Sequence, residues 1–263
     1  METTSDKPKP YRYVREDGGK IPDVGQLLSE TTAEFMDNIG PYALAGLGQL
    51  LVVLPVTFIG IIVGYIAMMF AMMFGMAGST MVGAGIGGDA GGAVAGVGTL
   101  ASMGLGFLAL FLVIGLMMAI IGPVSASLHR GVAAHQRGEK QLELSSAFST
   151  LTQDIVSVLL VAILFGSVVT FGVFLCYLPG ILAMIVFGFA GPLVYIGRRG
   201  PVASMALSMR HCVENINFYL PFGGIYFVIM MFAAYVPVIG PMYGMALHIR
   251  AYRQIFGDGE AVA

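Results

Sequence analysis

The chain has 263 residues, of which 57% are hydrophobic and only 11% charged, and its formal net charge is -2. About a quarter of the residues of a soluble domain are charged, so this composition excludes an ordinary water-soluble protein and indicates that much of the surface faces lipid. Three long stretches, 38–129, 155–197 and 215–247, are almost without charge. The first contains only Asp89 and His129 as acidic or basic residues, and the other two contain none. Each exceeds the roughly 20 residues of one membrane crossing, so each is predicted to form a helical hairpin.

The chain begins with a polar segment. Residues 1–30 are predicted to form a mostly disordered cytoplasmic arm, because charged residues, prolines and glycines outnumber the apolar ones there. From about Ile21 to Asp37 the apolar residues also fit an amphipathic helix. We expect residues 31–256 to form the transmembrane domain and residues 257–263 to form a cytoplasmic tail.

The predicted fold is all-α, with six transmembrane helices arranged as three hairpins and amphipathic helices at the interface. The rising and descending arms are predicted at 38–75 and 100–121, at 154–176 and 181–196, and at 215–231 and 238–249. At about 1.5 Å per residue the first rise is longer than the roughly 30 Å hydrocarbon core. It must therefore tilt, bend at Pro55 or project from the membrane.

The three hairpins share features that indicate internal repetition. A Gly-Pro pair lies in each descending arm, six or seven positions before the next basic residue, and predicts a helix break there. These residues are Gly122, Pro123, Gly191, Pro192, Gly240 and Pro241. The hairpin starts Asp37-Asn38-Ile39 and Glu214-Asn215-Ile216 match in residue type, as do the tails Leu128-His129-Arg130 and Leu247-His248-Ile249-Arg250. The alternative is that Gly-Pro pairs simply recur in membrane helices.

Basic residues set the predicted orientation. In a six-crossing arrangement every Lys, Arg and His falls on one side of the membrane, and the positive-inside rule makes that side cytoplasmic. Both termini are therefore predicted to be cytoplasmic. The linkers between hairpins are expected to lie along the inner interface and to bind anionic lipid headgroups. The predicted headgroup ligands are Arg130, Arg137, Arg198, Arg199, Arg210, Arg250 and Arg253.

The second half of the chain resembles a known family. Leu144-Ser-Ser-Ala-Phe148, the turn Tyr177-Leu-Pro-Gly-Ile181, Gly191-Pro-Leu-Val194 and the segment Ala203–Asn215 resemble bacterial YciC-like membrane proteins, over about residues 120–256. These proteins are similar in turn to the membrane domain attached to some glycerophosphodiester phosphodiesterases. The resemblance implies a six-helix protein of the bacterial inner membrane and brings no catalytic residues. The Gly-rich segment 75–98 departs from that family pattern.

Glycines in segment 75–98, on the outer side, recur at every fourth position. This spacing lets helices approach closely in lipid and predicts self-association; a flexible loop is the alternative. The predicted contact residues are Gly83, Gly87, Gly88, Gly91, Gly92 and Gly96.

No motif points to catalysis. His129 and His135 are six residues apart and lack a carboxylate cluster or a further ligand motif, so no metal site and no cofactor are predicted and both are expected to be interfacial. Asp37, Asp154 and Glu214 precede the rising helices, where helix initiation is favoured over an ion relay. No nucleic-acid partner is expected.

The sequence therefore predicts a non-enzymatic protein of the bacterial inner membrane. It would act by self-assembly through its Gly-rich outer segment, as a homo-oligomer, and would bind anionic lipid at the inner face. A channel or transporter for a small or lipid-like solute is the alternative, because broken helices can expose backbone groups to a substrate. An enzyme acting on lipid is a more distant alternative.

Overall fold

The computed structural model describes residues 21–86, 88–233 and 235–257, and the regular structure in these ranges is helical, without a strand. In chain order the α-helices are α1 Val24–Asp37, α2 Ile39–Ile86, α3 Gly88–Gln136, α4 Ile155–Cys176, α5 Leu178–Val186, α6 Ala190–Tyr195, α7 Pro201–Glu214, α8 Ile216–Ala233 and α9 Ile239–Phe256. A short 3-10 helix, Leu144–Ala147, lies between α3 and α4.

Several segments are long and apolar enough to cross a membrane. Within the described residues there are five, namely Ile39–Gly78, Gly96–Gln136, Ile155–Gly172, Leu178–Tyr195 and Ile216–Ala233. The chain therefore has the character of an all-helical membrane protein, as predicted. Helix α9 does not join this set, because His248, Arg250 and Arg253 lower its hydropathy.

The chain divides into two compact units, and the smaller one, Val52–Ile121, is a long antiparallel hairpin. Its arms belong to α2 and α3, and Gly88 next to the turn has the positive φ of 60° that glycine adopts without strain. A Cβ on Gly60 would strike Met117, and one on Gly75 would strike Ser102. These pairings fix the antiparallel register, because the partner residue moves back along α3 as the position advances along α2.

The larger unit comprises Met1–Leu51 and Gly122–Ala263. Its main apolar core joins Leu27 of α1 to Phe189, Tyr219, Tyr252 and Phe256. A second core joins α3, α4 and α6 through side chains such as Ala126, Val158 and Val194. Helix α9 is buried along most of its length, so it packs against protein and needs no continuous apolar surface.

Two helix junctions in the larger unit are built alike. Helices α1 and α7 both have 14 residues, and each is followed by an asparagine and then by an apolar helix. Asn38 donates its Nδ2 to the Glu34 carbonyl at 2.9 Å, and Asn215 donates to the His211 carbonyl at 3.1 Å. The matching hairpin starts in the sequence thus correspond to matching backbone turns.

The start of the described chain differs from the predicted arm. Helix α1 begins at Val24 after Asp23 accepts a hydrogen bond from the Gln26 amide at 2.9 Å. Residues 24–30 are therefore helical, because Leu27 is buried in the core and Val24 and Leu28 pack partly buried against it. Residues 1–20 and 258–263 lie outside the described residues.

The Gly-Pro pairs themselves lie inside helices, although the second descending arm is interrupted at 187–189, just before Gly191. Helix α3 continues through Gly122 and Pro123 to Gln136, since a membrane helix tolerates a proline when neighbouring groups satisfy the freed carbonyl. Pro192 and Pro241 each occupy the third position of a helix. There the missing N–H costs nothing, because the amides of a first helical turn have no partner within the helix.

Candidate functional site: a cavity with two histidines

A cavity of about 310 Å³ lies within the larger unit. Residues of α3, α4, α5, α6, α8 and α9 line it, together with the turn between α5 and α6. Its apolar walls include Phe165, Phe189, Phe222, Phe227 and Met230, and its polar groups come from Ser125, His129, Tyr195, Tyr219, Tyr226 and His248. No carboxylate, lysine or arginine lines the cavity, so its walls are neutral.

The candidate span Leu178–Tyr195 is interrupted beside the cavity. Helix α5 ends at Val186 and α6 begins at Ala190, so residues 187–189 form a turn, of which Gly188 and Phe189 line the cavity. Gly223 of α8 lies against α5, where a Cβ would come within 2.6 Å of Ile185 Cγ1. The glycine therefore allows α8 to approach α5 closely beside the cavity.

His129 presents one defined nitrogen to its surroundings. Its Nδ1 lies 2.7 Å from the Ser125 carbonyl oxygen, one helical turn earlier. A carbonyl oxygen only accepts, so Nδ1 carries the hydrogen. In the neutral ring Nε2 then has a free lone pair and can accept a hydrogen bond from a ligand.

His248 lies opposite, among aromatic rings. Its ring centroid is 4.6 Å from that of Phe189 and 5.1 Å from that of Tyr226, and the residue is 7% exposed. Neither ring nitrogen forms a hydrogen bond with any part of the chain that the structure describes. The centroids of His129 and His248 are 6.5 Å apart, so two segments that match in sequence bring their histidines into one cavity.

A second cavity, of about 450 Å³, is basic and is lined by Arg130, Arg137, Lys140 and Arg198 among others. Arg130 is 13% exposed, and it donates to the Tyr195 carbonyl at 2.6 Å and pairs with Asp154 at 3.3 Å. Arg198 also pairs with Asp154, at 3.7 Å. Arg130 therefore joins α3 to the end of α6 and the start of α4, an internal role that its position in the sequence does not reveal.

The other predicted headgroup ligands have different settings. Arg250 forms ion pairs with Glu30 at 3.0 Å and with Glu34, and so ties α9 to α1. The exposed Arg210 pairs with Glu214 one turn away on α7. Arg137 pairs with Glu139, and Arg199 and Arg253 are half-buried.

The predicted contact glycines lie on both sides of the hairpin turn. Gly83 is in α2, and Gly88, Gly91, Gly92 and Gly96 are in α3, whereas Gly87 lies outside the described residues. The described part of segment 75–98 is helical rather than a loop. Around Gly88 and Gly96 a Cβ would meet no atom within 4 Å, so no other helix among the described residues lies against them.

The remaining histidines lie elsewhere. His135 packs edge-on against Tyr42, and His211 is buried against Tyr219 and Phe256. Burial lowers the pKa of His211 below its usual range, with Glu214 opposing that effect. Within the described residues no group of three or more His, Cys, Asp or Glu side chains could hold a metal ion.

Sequence reasoning missed the cavity. His129 was expected at the interface, yet it lines the cavity with Ser125 and Tyr226, which no motif had marked. The signal that could have found it was the similarity of the two tails, because equivalent positions in repeats often meet in space. No protein-family model, no curated protein and no solved structure matches the chain.

Proposed function

We propose that this protein is a non-enzymatic component of the bacterial inner membrane that acts by self-assembly. The observation that carries the proposal is the surface of the hairpin Val52–Ile121, which is apolar on every side. Ile61, Ile62 and Val63 are consecutive and all exposed, so the exposed surface of the helix has no polar face there. Phe74 and Leu112 are likewise more than half exposed.

The length of the hairpin supports assembly. Residues 52–86 rise about 50 Å at 1.5 Å per residue, whereas the hydrocarbon core is about 30 Å thick. Even a tilt of about 40° leaves a span of about 40 Å. The excess apolar surface would cost about 25 cal/mol per Å² in water, and contact with further copies of the chain would remove that cost.

Glycines on the outer surface of the hairpin would allow close contact between copies. A Cβ would meet no atom within 4 Å at Gly78, Gly85, Gly96, Gly104 or Gly115. Gly78 and Gly85 are seven residues apart and Gly104 and Gly115 eleven, spacings that return to the same face of a helix. Small residues on one face are the usual means of helix association in lipid.

The proposal includes six crossings, with α9 as the sixth, and both termini in the cytoplasm. Burial of α9 within the larger unit offsets its low hydropathy, because a helix enclosed by protein does not face lipid. We also propose that the chain is related to the YciC-like membrane proteins and that it binds anionic lipid on the cytoplasmic side. The basic cavity with Arg137, Lys140 and Arg198 supports headgroup binding there.

A second candidate function is transport of a lipid-like solute. The cavity with His129 and His248 favours it, since a neutral pocket among membrane helices suits an apolar passenger. Solute flux measured in liposomes with and without the protein would decide for or against this function.

Particle mass in lipid nanodiscs, measured by mass photometry, tests self-assembly. We expect a homogeneous oligomer for the natural chain, and smaller particles when Gly96, Gly104 and Gly115 are all replaced by Leu. The matched control replaces Gly40, Gly200 and Gly224 by Leu, since a Cβ at these positions also meets no atom within 4 Å. A monomeric natural chain, or equal effects of both triple variants, would overturn the proposal.

A further inference from the structure

Self-assembly does not account for the cavity that His129 and His248 line. His248 is nine-tenths buried, yet its nitrogens have no hydrogen-bond partner in the described part of the chain. A buried polar group without a partner is unfavourable. His248 lies on the cavity wall, so a ligand in the cavity can supply the missing partner.

The size of the cavity limits that ligand. An engineered cavity of about 150 Å³ holds one benzene molecule, so about 310 Å³ accommodates roughly two such volumes. This is space for one substituted ring and the start of a chain. A tetrapyrrole is too large, and an ion alone would leave most of the volume empty.

The walls define the chemistry of the ligand. Phe165, Phe189, Phe222, Tyr226 and Phe227 offer aromatic surface, which favours a flat ring in offset or edge contact. The absence of charged lining residues favours a neutral molecule, since a buried charge without a partner is costly. The surrounding helices include apolar candidate spans, so the ligand would enter from the lipid.

The polar groups determine which hydrogen-bonding group the ligand needs. Because Nδ1 of His129 donates to Ser125, the neutral ring offers Nε2 as an acceptor, which is complementary to a hydroxyl. We propose that the cavity binds a lipid-soluble phenol or hydroquinone, whose hydroxyl donates to His129 Nε2 and accepts from the ring N–H of His248 while its ring packs beside Phe189 and Tyr226. This site goes beyond the proposed assembly and does not depend on it.

Two ligands of nearly the same shape test this proposal on the natural protein. Decylhydroquinone carries two hydroxyl donors, and its dimethyl ether carries none. Binding of each to the protein in neutral phospholipid nanodiscs is followed by native mass spectrometry, with empty nanodiscs to correct for partitioning into lipid. We expect saturable binding of the hydroquinone and about tenfold weaker binding of the ether, because the ether cannot donate to Nε2.

Variants on one helix locate the site. His129→Leu is expected to weaken hydroquinone binding about tenfold and to abolish the difference between the two ligands. His135→Leu is the matched control, because His135 also lies on α3 but outside the cavity, and it should leave both affinities unchanged.

The results that would overturn the proposal are equally definite. They are the absence of saturable hydroquinone binding, equal affinity of the natural protein for both ligands, or equal loss in both variants. A phospholipid chain that occupies the cavity and that neither ligand displaces would also overturn it. The comparison of ligands needs no variant, so it decides the matter even if a substitution prevents folding.

Discussion

The hydroxyl of Tyr219 lies 2.9 Å from Nδ1 of His211, the residue eight positions earlier. The same reach of eight residues joins the Tyr42 hydroxyl to Glu34 Oε1 at 3.1 Å. In both places the bond closes the corner between a 14-residue helix and the apolar helix that follows it. The repeated corner thus keeps its geometry although the partner of the tyrosine has changed from a carboxylate to an imidazole.

Removal of this bond should destabilise the α7–α8 corner. We expect Tyr219→Phe to lower the free energy of unfolding by about 1 kcal/mol, because the buried His211 loses its partner while the ring volume is kept. The measurement is the midpoint of thermal unfolding in detergent. Tyr235→Phe is the control, since Tyr235 is 83% exposed, and equal shifts in the two variants would contradict the role of the bond.

The same corner should make stability depend on pH. Burial lowers the pKa of His211 in the folded protein, so protonation favours the unfolded chain, where the pKa of histidine is about 6.5. Stability from this group is therefore present above about pH 6.5 and is lost as the pH falls below that value. The groups facing His211 include Tyr219, Glu214, Arg210 and Phe256.

The check compares unfolding midpoints at pH 7.5 and pH 5.5. We expect the natural protein to lose stability at the lower pH and His211→Gln to lose less. A pH dependence that is unchanged in His211→Gln would assign it to other groups, such as the carboxylates that pair with Arg250.

Arg130 should be more important for stability than any exposed arginine. Its guanidinium group donates to the Tyr195 carbonyl at 2.6 Å and to the Gln153 carbonyl at 3.2 Å, and it pairs with Asp154. We expect Arg130→Lys to cost about 2–3 kcal/mol, since one ammonium group cannot reach all these acceptors. Chemical denaturation in mild detergent measures the loss.

Arg210→Lys is the control for this prediction. Arg210 is exposed and pairs with Glu214 at 3.6 Å on the surface of α7, where ion pairs contribute about 0–1 kcal/mol. The same small effect for both substitutions would contradict the prediction, because it would mean that the hydrogen bonds and ion pair of Arg130 contribute no more than an exposed ion pair.

The sequence predicts some of these features and not others, for physical reasons. Helix α1 and the two asparagine junctions follow from local signals, namely helical spacing of apolar residues and caps at fixed positions. The internal role of Arg130 does not, because Tyr195 and Asp154 come from other helices and no local pattern marks them as its partners. The interruption at 187–189 lies just before the Gly191-Pro192 pair, where the sequence predicts a break, although the composition of Leu178–Tyr195 is that of a continuous span.

The number of crossings can be tested with single cysteines in a background without Cys176 and Cys212. Tyr177→Cys and Tyr235→Cys place exposed thiols before α5 and after α8, and Gln141→Cys places one in the loop after α3. With both termini cytoplasmic, a membrane-impermeant maleimide should label the first two in intact cells and the third only after permeabilisation. Labelling of Tyr235→Cys only after permeabilisation would mean that α8 and α9 do not form an outward hairpin.

The hairpin Val52–Ile121, whose one charged residue is Asp89, also bears on how the protein reaches its membrane. Asp89 is the second residue of α3, and even at the centre of a membrane helix a carboxylate costs only about 2.5–3.5 kcal/mol during insertion. Both arms can therefore insert into the membrane together as one hairpin, although Asp89 is charged. The hairpin itself carries no Lys or Arg, so its orientation depends on the basic residues on either side of it, such as Lys20 before α1 and Arg130 near the end of α3.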